Sequence, residues 1–191
     1  MRKLVVHEFI TLDGVIQAPG SATEDTDGGF TYGGWTIPYW HDDIGPHFGE
    51  AMQTVDALLL GRKTWQIHGN AFGPNPAEDP FGGMKKYVVS TTLKSVELWE
   101  NSFLISDNAI DEVRKLKSQP GKNIFLDGSS VLVHTLIEND LVDEYLLHVY
   151  PLVLGSGKRL FPEGKRLSLK LIASSTVPTG VVYQQYTYSG V

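Results

Sequence analysis

The sequence predicts an α/β domain built on a mixed, mostly parallel sheet flanked by helices. Short apolar runs alternate along its middle with segments of helical spacing, as parallel strands joined by crossover helices require. The C-terminal part has no helical pattern; two strand-like runs flank a Pro-Thr-Gly turn at residues 178–180, which predicts an antiparallel hairpin. No linker composition interrupts the 191 residues, so we expect one domain, residues 1–191.

Each element follows from a local pattern. Runs of apolar and β-branched residues predict strands at residues 3–11, 57–60, 86–90, 102–106, 123–126, within 141–153, and at 167–175 and 181–188. Helical spacing and cap residues predict helices at residues 46–54, from 63 onward, and at 109–117 and 129–138. Pro46 suits the first position of its helix. Residues 17–39 are rich in glycine and aromatics, and we expect them to form a long functional loop.

Composition removes several classes of function. The absence of cysteine excludes disulfides, thiolate catalysis and cysteine-based zinc sites. The net charge of −6 and the pI near 5.4 argue against a nucleic-acid partner. No stretch approaches the roughly 18 apolar residues of a membrane span, and the N-terminus does not read as a signal peptide. The six histidines are scattered, so we expect no metal site. The absence of cysteine is consistent with the cytoplasm, where we expect the protein.

Two turns after predicted strands have the composition of phosphate sites. The first reads LLLGRKT, residues 58–64, and combines a glycine, two positive charges and a hydroxyl. The second reads LDGSSVL, residues 126–132, where glycine allows close backbone approach and serine suits a helix N-cap. Ligands of open α/β sheets bind beyond the carboxyl ends of strands, where helix N-termini favour phosphate. Together the turns predict a dinucleotide site, although each alone could be an ordinary cap or ion pair.

Neither common nucleotide motif explains such a site. Residues 154–161, LGSGKRLF, lack the first glycine and the final Ser/Thr of a P-loop. The first strand is not followed by Gly-x-Gly-x-x-Gly, the fingerprint of the Rossmann fold. If a nicotinamide cofactor binds, a different fold holds it.

Several segments resemble the dihydrofolate-reductase-like superfamily. They are ITLDGVI (10–16), DALLLGRKTW (56–65), YVVSTTL (87–93), residues 124–161 and the closing hairpin. The likeness is greatest to the branch that contains the C-terminal reductase domain of the riboflavin-biosynthesis deaminase/reductase and its stand-alone relatives. This resemblance implies a dihydrofolate-reductase-like sheet that binds NADPH, and often a homodimer. We expect no deaminase half, since these residues contain no His/Cys zinc signature.

The resemblance also implies which residues hold the cofactor. The glycine-arginine turn would bind phosphate, the end of the third strand would line the adenosine, and the second turn would lie under the pyrophosphate and nicotinamide ribose. These cofactor-binding residues are Ile16, Gly61, Arg62, Lys63, Thr64, Ser90, Thr91, Asp127, Gly128, Ser129, Ser130, Val131 and Leu132. A guanidinium suits a phosphate monoester better than a ribose diol, so the Arg62-Lys63 pair favours NADPH over NADH.

The expected substrate is a small pterin- or pyrimidine-like heterocycle. Trp35, Trp40 and Trp65 are candidate walls for a flat ring, although tryptophans more often fill a core. Asp43 and Asp13 are the candidate catalytic and substrate-binding acids.

The position of the catalytic acid is where the sequence departs from its relatives. In folate-reducing relatives an acid on the helix after the loop aids protonation; Asp42 and Asp43 lie near that position, but Gly45 lies closer to it. In riboflavin-pathway relatives a basic residue commonly follows the Asp-Gly turn; here it is Val15, which argues against that pathway's ribose-phosphate substrate. A non-catalytic NADP(H)- or nucleotide-binding protein on the same fold therefore stays open as the alternative.

Overall fold

The computed structural model describes residues 1–190. Its strands are β1 (Leu4–Thr11), β2 (Val55–Gly61), β3 (Lys85–Val89), β4 (Ser102–Ile105), β5 (Asn123–Leu126), β6 (Glu144–Tyr150), β7 (Leu169–Thr176) and β8 (Val182–Tyr188). Its α-helices are α1 (Ile44–Gln53), α2 (Arg62–Phe72), α3 (Ala109–Ser118) and α4 (Ser130–Glu138). Short 3-10 turns occur at Asp27–Gly29, Ile37–Tyr39 and Pro76–Glu78.

The eight strands form one sheet in the order β4-β3-β2-β5-β1-β6-β8-β7. The six strands from β4 to β6 are mutually parallel. β8 pairs antiparallel with β6, and β7 pairs antiparallel with β8 at the edge of the sheet. The predicted fold class, a mixed and mostly parallel sheet with an antiparallel C-terminal hairpin, is confirmed.

The unalternating apolar run of β2 is buried on both faces of the sheet. Side chains alternate along a strand, so Leu58 and Leu60 pack in one core while Leu59 packs in the other. All three have no exposed surface. Truncation of one of them to alanine would cost about 2–5 kcal/mol, because the tightly packed neighbours cannot fully close the gap.

The crossover helices divide between the two faces of the sheet. Ala51 of α1 and Trp65 of α2 belong to the core on one face, whereas Val113 of α3 and Leu136 of α4 belong to the core on the other. The neighbouring strands β2 and β5 therefore send their helices to opposite faces. In open α/β sheets this arrangement leaves a crevice beyond the carboxyl ends of the two strands, where ligands bind.

The long segment before α1 is packed rather than structureless. Ala18, Phe30 and Trp35 pack with Val15 and Tyr150 in a third apolar cluster beneath the segment. The Trp35 indole N–H donates to the Gln17 carbonyl oxygen at 2.8 Å. These contacts hold residues 17–39 at the carboxyl edge of the sheet, beside the crevice.

The start of α1 differs from the prediction. The helix begins at Ile44, so Pro46 occupies its third position instead of the first. Proline is tolerated there because the N–H groups of a first helical turn have no partner within the helix. The shift brings Ile44 and Gly45 to the wall of the crevice.

Candidate functional site

A cavity of about 1010 Å³ occupies the crevice at the carboxyl ends of the central strands. Residues of β1, α1, α2 and α4 line it, together with the segment before α1 and the loops after β3 and β5. Its volume is at the upper end of the roughly 300–1,000 Å³ that small-molecule sites span. The cavity is therefore large enough for two ligands that must meet, such as a cofactor and a substrate.

The turns after β2 and β5 touch each other at the cavity. The Gly61 N–H donates to the Gly128 carbonyl oxygen at 3.1 Å. A Cβ at Gly61 would overlap Ser129 Oγ, and a Cβ at Gly128, whose φ is +59°, would lie 2.7 Å from Thr64 Oγ1. Both positions therefore require glycine for close approach, and Gly128 requires it for its backbone conformation as well.

Both helices that follow these turns point uncapped N-termini at the cavity. Neither Gly61, before α2, nor Ser129, before α4, makes a side-chain cap hydrogen bond within residues 1–190. The first-turn N–H groups of a helix lack intrahelical acceptors and carry a partial positive charge. Arg62 and Ser130 to Leu132 line the cavity at these points. The donor set fits a ligand with more than one anionic group.

The two positive charges of the first turn have different surroundings. The Arg62 guanidinium is exposed and donates to Gln66 Oε1, four residues along the same helix, at 3.0 Å. Lys63 Nζ lies 2.6 Å from Asp25 Oδ1 and 2.6 Å from Asp27 Oδ1. Arg62 is thus open to an anion, whereas Lys63 is already neutralised by the segment before α1.

Lys158 joins the same cluster from the loop after β6. Its Nζ lies 2.6 Å from Asp25 Oδ2 and 2.8 Å from Asp27 Oδ2. Hydrogen bonds from Lys158 and Lys63 lower the pKa of Asp27 to about 2. Burial raises the pKa of Asp25, but the same two lysines outweigh it and the net direction is down. This four-residue cluster fastens the segment before α1 along the cavity.

The floor of the cavity contains a buried acid that the sequence analysis missed. Glu8 of β1 is buried, and its Oε1 accepts a hydrogen bond from the Gly128 N–H at 3.0 Å. Burial, and then the neighbouring Asp127 carboxylate, raise the pKa of Glu8 well above its usual value. Glu8 follows Leu4 and Val6 on one apolar face of β1. A carboxyl group at a position where the strand pattern predicts a buried apolar residue was the sequence signal that could have identified it.

Asp127 is paired with a histidine of α2. His68 Nε2 lies 2.7 Å from Asp127 Oδ2, and both side chains line the cavity. Burial raises the pKa of Asp127, but the hydrogen bond and charge of His68 outweigh it and lower that pKa overall. His68 lies one helical turn after Thr64, so the cavity face of α2 includes both residues.

Aromatic rings form one wall of the cavity. His7 stacks on Phe125 and contacts Phe48, Phe48 contacts Phe81, and Phe81 stacks on His68 with ring centroids 5.5 Å apart. We call His7, Phe48, His68, Phe72 and Phe81 the aromatic wall, since all five line the cavity. Trp40, with 57% of its surface exposed, also lines the cavity. The wall offers a mostly apolar aromatic surface that includes one member, His68, of a charged pair.

All thirteen expected cofactor residues come together in the cavity. Those that line it are Ile16, Gly61, Arg62, Lys63, Thr64, Ser90, Thr91, Asp127, Gly128, Ser129, Ser130, Val131 and Leu132. Of the expected substrate residues, only Trp40 lies there. Asp13, Trp35, Asp43 and Trp65 lie elsewhere.

The geometry does not support Asp43 or Asp13 as catalytic acids. The Asp43 side chain is 64% exposed, contacts His41 and lies outside the cavity lining. The Asp13 carboxylate accepts hydrogen bonds from Thr11 Oγ1 and from the N–H groups of Leu154 and Gly155. A proton donor must come within hydrogen-bond reach of its substrate. Asp13 instead connects the turn after β1 to the loop after β6, and it lines a second, smaller cavity.

Two of the three expected tryptophan walls are core residues. Trp65 is 2% exposed, and its indole N–H donates to Ser102 Oγ at 2.9 Å. Trp35 is 6% exposed and packs edge-on against Tyr150. Neither ring lines the cavity, so the structure places both of these predicted substrate contacts outside the candidate site.

Residues 1–190 contain neither a grouped set of metal ligands nor a membrane-spanning helix. No group of three or more His, Asp or Glu side chains there is arranged to hold a metal ion. None of the described helices is long and apolar enough to cross a membrane.

Sequence relatives match almost the whole chain. The family model of the RibD C-terminal domain matches residues 2–183. Uncharacterized protein YyaP of Bacillus subtilis (strain 168) is 34% identical, over 99% of this chain and 96% of its own. Uncharacterized protein YwjB of the same organism is 30% identical, over 85% of this chain and 84% of its own.

Solved structures share the fold. A putative riboflavin biosynthesis protein from Shewanella sp. PV-4 is 24% identical, with a TM-score of 0.77, over 98% of this chain and 99% of its own. A pyrimidine reductase-like protein from Corynebacterium diphtheriae is 13% identical, with a TM-score of 0.62, and the match covers 100% of this chain and 93% of that protein's chain. Dihydrofolate reductase from Enterococcus faecalis, complexed with NADP(H) and RAB-propyl, is 16% identical, with a TM-score of 0.63, over 98% and 96%. The expected dihydrofolate-reductase-like superfamily is confirmed, and the chain belongs to the RibD C-terminal domain family.

Proposed function

We propose that the protein is an NADPH-dependent reductase that transfers a hydride to a small, flat, pterin- or pyrimidine-like heterocycle. The observation that carries the proposal is the meeting of two uncapped helix N-termini and Arg62 with an aromatic wall in one cavity. The first part suits a dinucleotide and the second suits a planar ring. A cofactor and a substrate would then share the crevice at the switch between β2 and β5.

The residues present fit NADPH. Arg62 would contact the 2′-phosphate, Ser90 and Thr91 would line the adenosine, and the N–H groups at the start of α4 would meet the pyrophosphate. Ile16 would pack beside the nicotinamide. When bound there, NADPH supplies a hydride; the protein orients the rings and excludes water.

The cavity disfavours a phosphorylated substrate. Lys63 and Lys158 are both engaged by Asp25 and Asp27, and the carboxylates of Asp127 and Glu24 lie near the aromatic wall. A ribose phosphate at the wall would meet Asp127 and Glu24 without a lysine or arginine to balance it. We therefore propose a heterocycle without a phosphate group.

A non-catalytic NADP(H)-binding protein is the second candidate. It is favoured by the positions of Asp13 and Asp43, which leave the cavity without either expected acid. The half-buried His68–Asp127 pair at the aromatic wall weighs against it, because a binding site for a cofactor alone does not need a charged pair there.

The two candidates separate in a two-stage experiment. Calorimetry first measures NADPH binding to the purified protein, and a panel of pterins, pyrimidinones and quinones is then screened for NADPH oxidation. The reductase predicts binding and oxidation with at least one ring compound. Binding without oxidation would support the second candidate, and no binding would reject both.

We also propose that the protein is a homodimer. The edge strand β7 exposes Leu171 and Ile172, each with about half of its surface accessible. Unprotected edge strands invite pairing with another chain. Light scattering that gives the 21.1 kDa chain mass across a concentration series would remove this proposal.

A further inference from the structure

The His68 imidazole is held in one orientation at the cavity. Its Nε2 lies 2.7 Å from Asp127 Oδ2, and its ring stacks on Phe81 and meets the edges of Phe72 and Trp99. In residues 1–190, Nδ1 makes no hydrogen bond to a protein atom. The ring lines the cavity and is 22% exposed, so a ligand against the aromatic wall would meet its remaining nitrogen.

The charges around His68 favour its protonated form. Burial lowers the pKa of His68, but the Asp127 hydrogen bond and charge, followed by the charges of Glu24 and Asp79, raise it above its ordinary value overall. Glu8, on the other side of Asp127, has a strongly raised pKa, so Asp127 carries the negative charge of that acid pair. The arrangement therefore favours an imidazolium backed by a carboxylate.

Glu8, His7 and Asp43 do not combine these properties. Glu8 is buried against the Gly128 N–H at the floor, and His7 Nε2 is enclosed without a partner among the described residues. Burial lowers the pKa of His7 to about 4, so His7 is neutral and has no proton to give at neutral pH. Asp43 lies outside the cavity.

We propose that His68 is the catalytic acid of this cavity and that Asp127 is its positioning residue. The inference rests on the proposed reductase function. A C=N carbon of the substrate ring receives the hydride that NADPH supplies, the π-electron pair moves to nitrogen, and that nitrogen takes the Nδ1 proton of His68. The products are the reduced ring, NADP⁺ and a neutral imidazole, which regains its proton from water. The substrate class is therefore a ring with a reducible C=N bond whose nitrogen is a hydrogen-bond acceptor.

The test compares His68→Gln, Asp127→Asn and the control His134→Gln with the wild type. His134 lies on α4 outside the cavity lining, where its Nε2 contacts the Arg159 carbonyl oxygen. Thermal melts first establish that each variant folds, and calorimetry establishes that each binds NADPH. Turnover of the compound found in the panel is then measured against pH.

We expect His68→Gln to lower kcat by about 100-fold or more while NADPH affinity is kept, as removal of a general acid does. Wild-type kcat should fall as pH rises through the pKa of His68. This fall in kcat should be absent in His68→Gln. Asp127→Asn should shift the fall in kcat to lower pH, and His134→Gln should leave the wild-type pH profile unchanged.

A readout without substrate comes from NMR titration of the imidazole protons. The resonance missing from His68→Gln identifies His68, and its pKa should lie above the ordinary value of about 6.5 and fall in Asp127→Asn. Wild-type kcat in a folded His68→Gln, or a His68 pKa below the ordinary value, would overturn the inference alone. A wild type that oxidises NADPH with no panel compound would overturn the proposed function and the inference together.

Discussion

The ammonium group of Lys63 lies 2.6 Å from the Asp25 carboxylate, although 38 positions separate the two residues in the chain. Lys63 belongs to the turn that the sequence assigns to phosphate, and Asp25 belongs to the long segment before α1. A phosphate at this turn must therefore compete with a carboxylate for Lys63, whereas Arg62 faces no such competitor.

Arg62 is the residue whose loss should change cofactor choice. We expect Arg62→Ala to weaken NADPH binding by about 1.5–3 kcal/mol, since a charge-assisted contact to the 2′-phosphate is lost. NADH, which lacks that phosphate, should lose little. Calorimetry with both cofactors checks this, with Arg114→Ala, which removes a surface ion pair of α3, as the control. Equal losses for NADPH and NADH would reject the assignment.

Lys63 should matter less than its neighbour. Any contact with phosphate replaces the existing contacts with Asp25 and Asp27, so the net gain is smaller. We expect Lys63→Ala to weaken NADPH binding less than Arg62→Ala does in the same titrations. A larger loss for Lys63→Ala would show that the ion pairs with the two aspartates are broken in the bound state.

The contact between the two phosphate turns can be tested without a cofactor. Gly61→Ala should lower the melting temperature, because the new methyl group overlaps Ser129 Oγ while the backbone φ of −73° is ordinary. The double variant Gly61→Ala with Ser129→Gly should recover part of the loss. Gly49→Ala is the control; a Cβ there meets nothing within 4 Å, and the exchange should stabilise α1 by about 0.5–1 kcal/mol. A Gly61→Ala protein with an unchanged melt would show that the turns are not in contact.

Two buried histidines should make the fold sensitive to acid. Burial lowers the pKa of His7 to about 4, and burial with the nearby His7 and His47 lowers that of His148 to about 3. In the unfolded chain both titrate near 6.5 and so bind more protons than the folded state at acid pH. Their stability contribution is therefore complete above about pH 6.5 and is lost as pH falls towards 4.

The loss should reach at most about 1.4 kcal/mol per pH unit for each histidine. We expect His148→Leu to flatten the dependence of unfolding free energy on pH between about 6.5 and 4, measured by urea denaturation. The slope is the readout, because the substitution also changes packing. An unchanged slope would show that His148 is not held neutral in the folded state.

Asp43→Asn separates the account given by the structure from the sequence-based expectation. The sequence predicts lower turnover for this variant, whereas the exposed position of Asp43 predicts turnover and NADPH binding equal to wild type. Kinetics on the compound from the panel distinguishes the two. A marked loss of kcat would mean that residues 41–43 move into the cavity when ligands bind.

The sequence predicted what depends on local pattern. The apolar run before Gly61 and the run before Gly128 located both turns, because each combines a buried strand, a glycine and a helix start within a few residues. The fold followed from the same alternation. The pairing of Lys63 with Asp25, by contrast, joins distant segments and leaves no local signal.

His68, the proposed acid, was missed for a related reason. His68 is one of six scattered histidines in the sequence. It meets its partner Asp127 only because α2 packs beside the carboxyl end of β5 in the folded protein. Likewise, nothing in the neighbouring letters separates Trp65, which fills a core, from Trp40, which lines the cavity. Such differences depend on which face of the sheet each side chain meets.

Isotope transfer from deuterated NADPH is the direct test of hydride transfer within this cavity. NADPH deuterated at its transferable position is incubated with the protein and each ring compound of the panel, and the product is analysed by mass spectrometry and NMR. Hydride transfer to a C=N bond predicts one deuterium on the ring carbon beside the protonated nitrogen. NADPH that binds to the protein and gives no deuterated product with any pterin, pyrimidinone or quinone would contradict it.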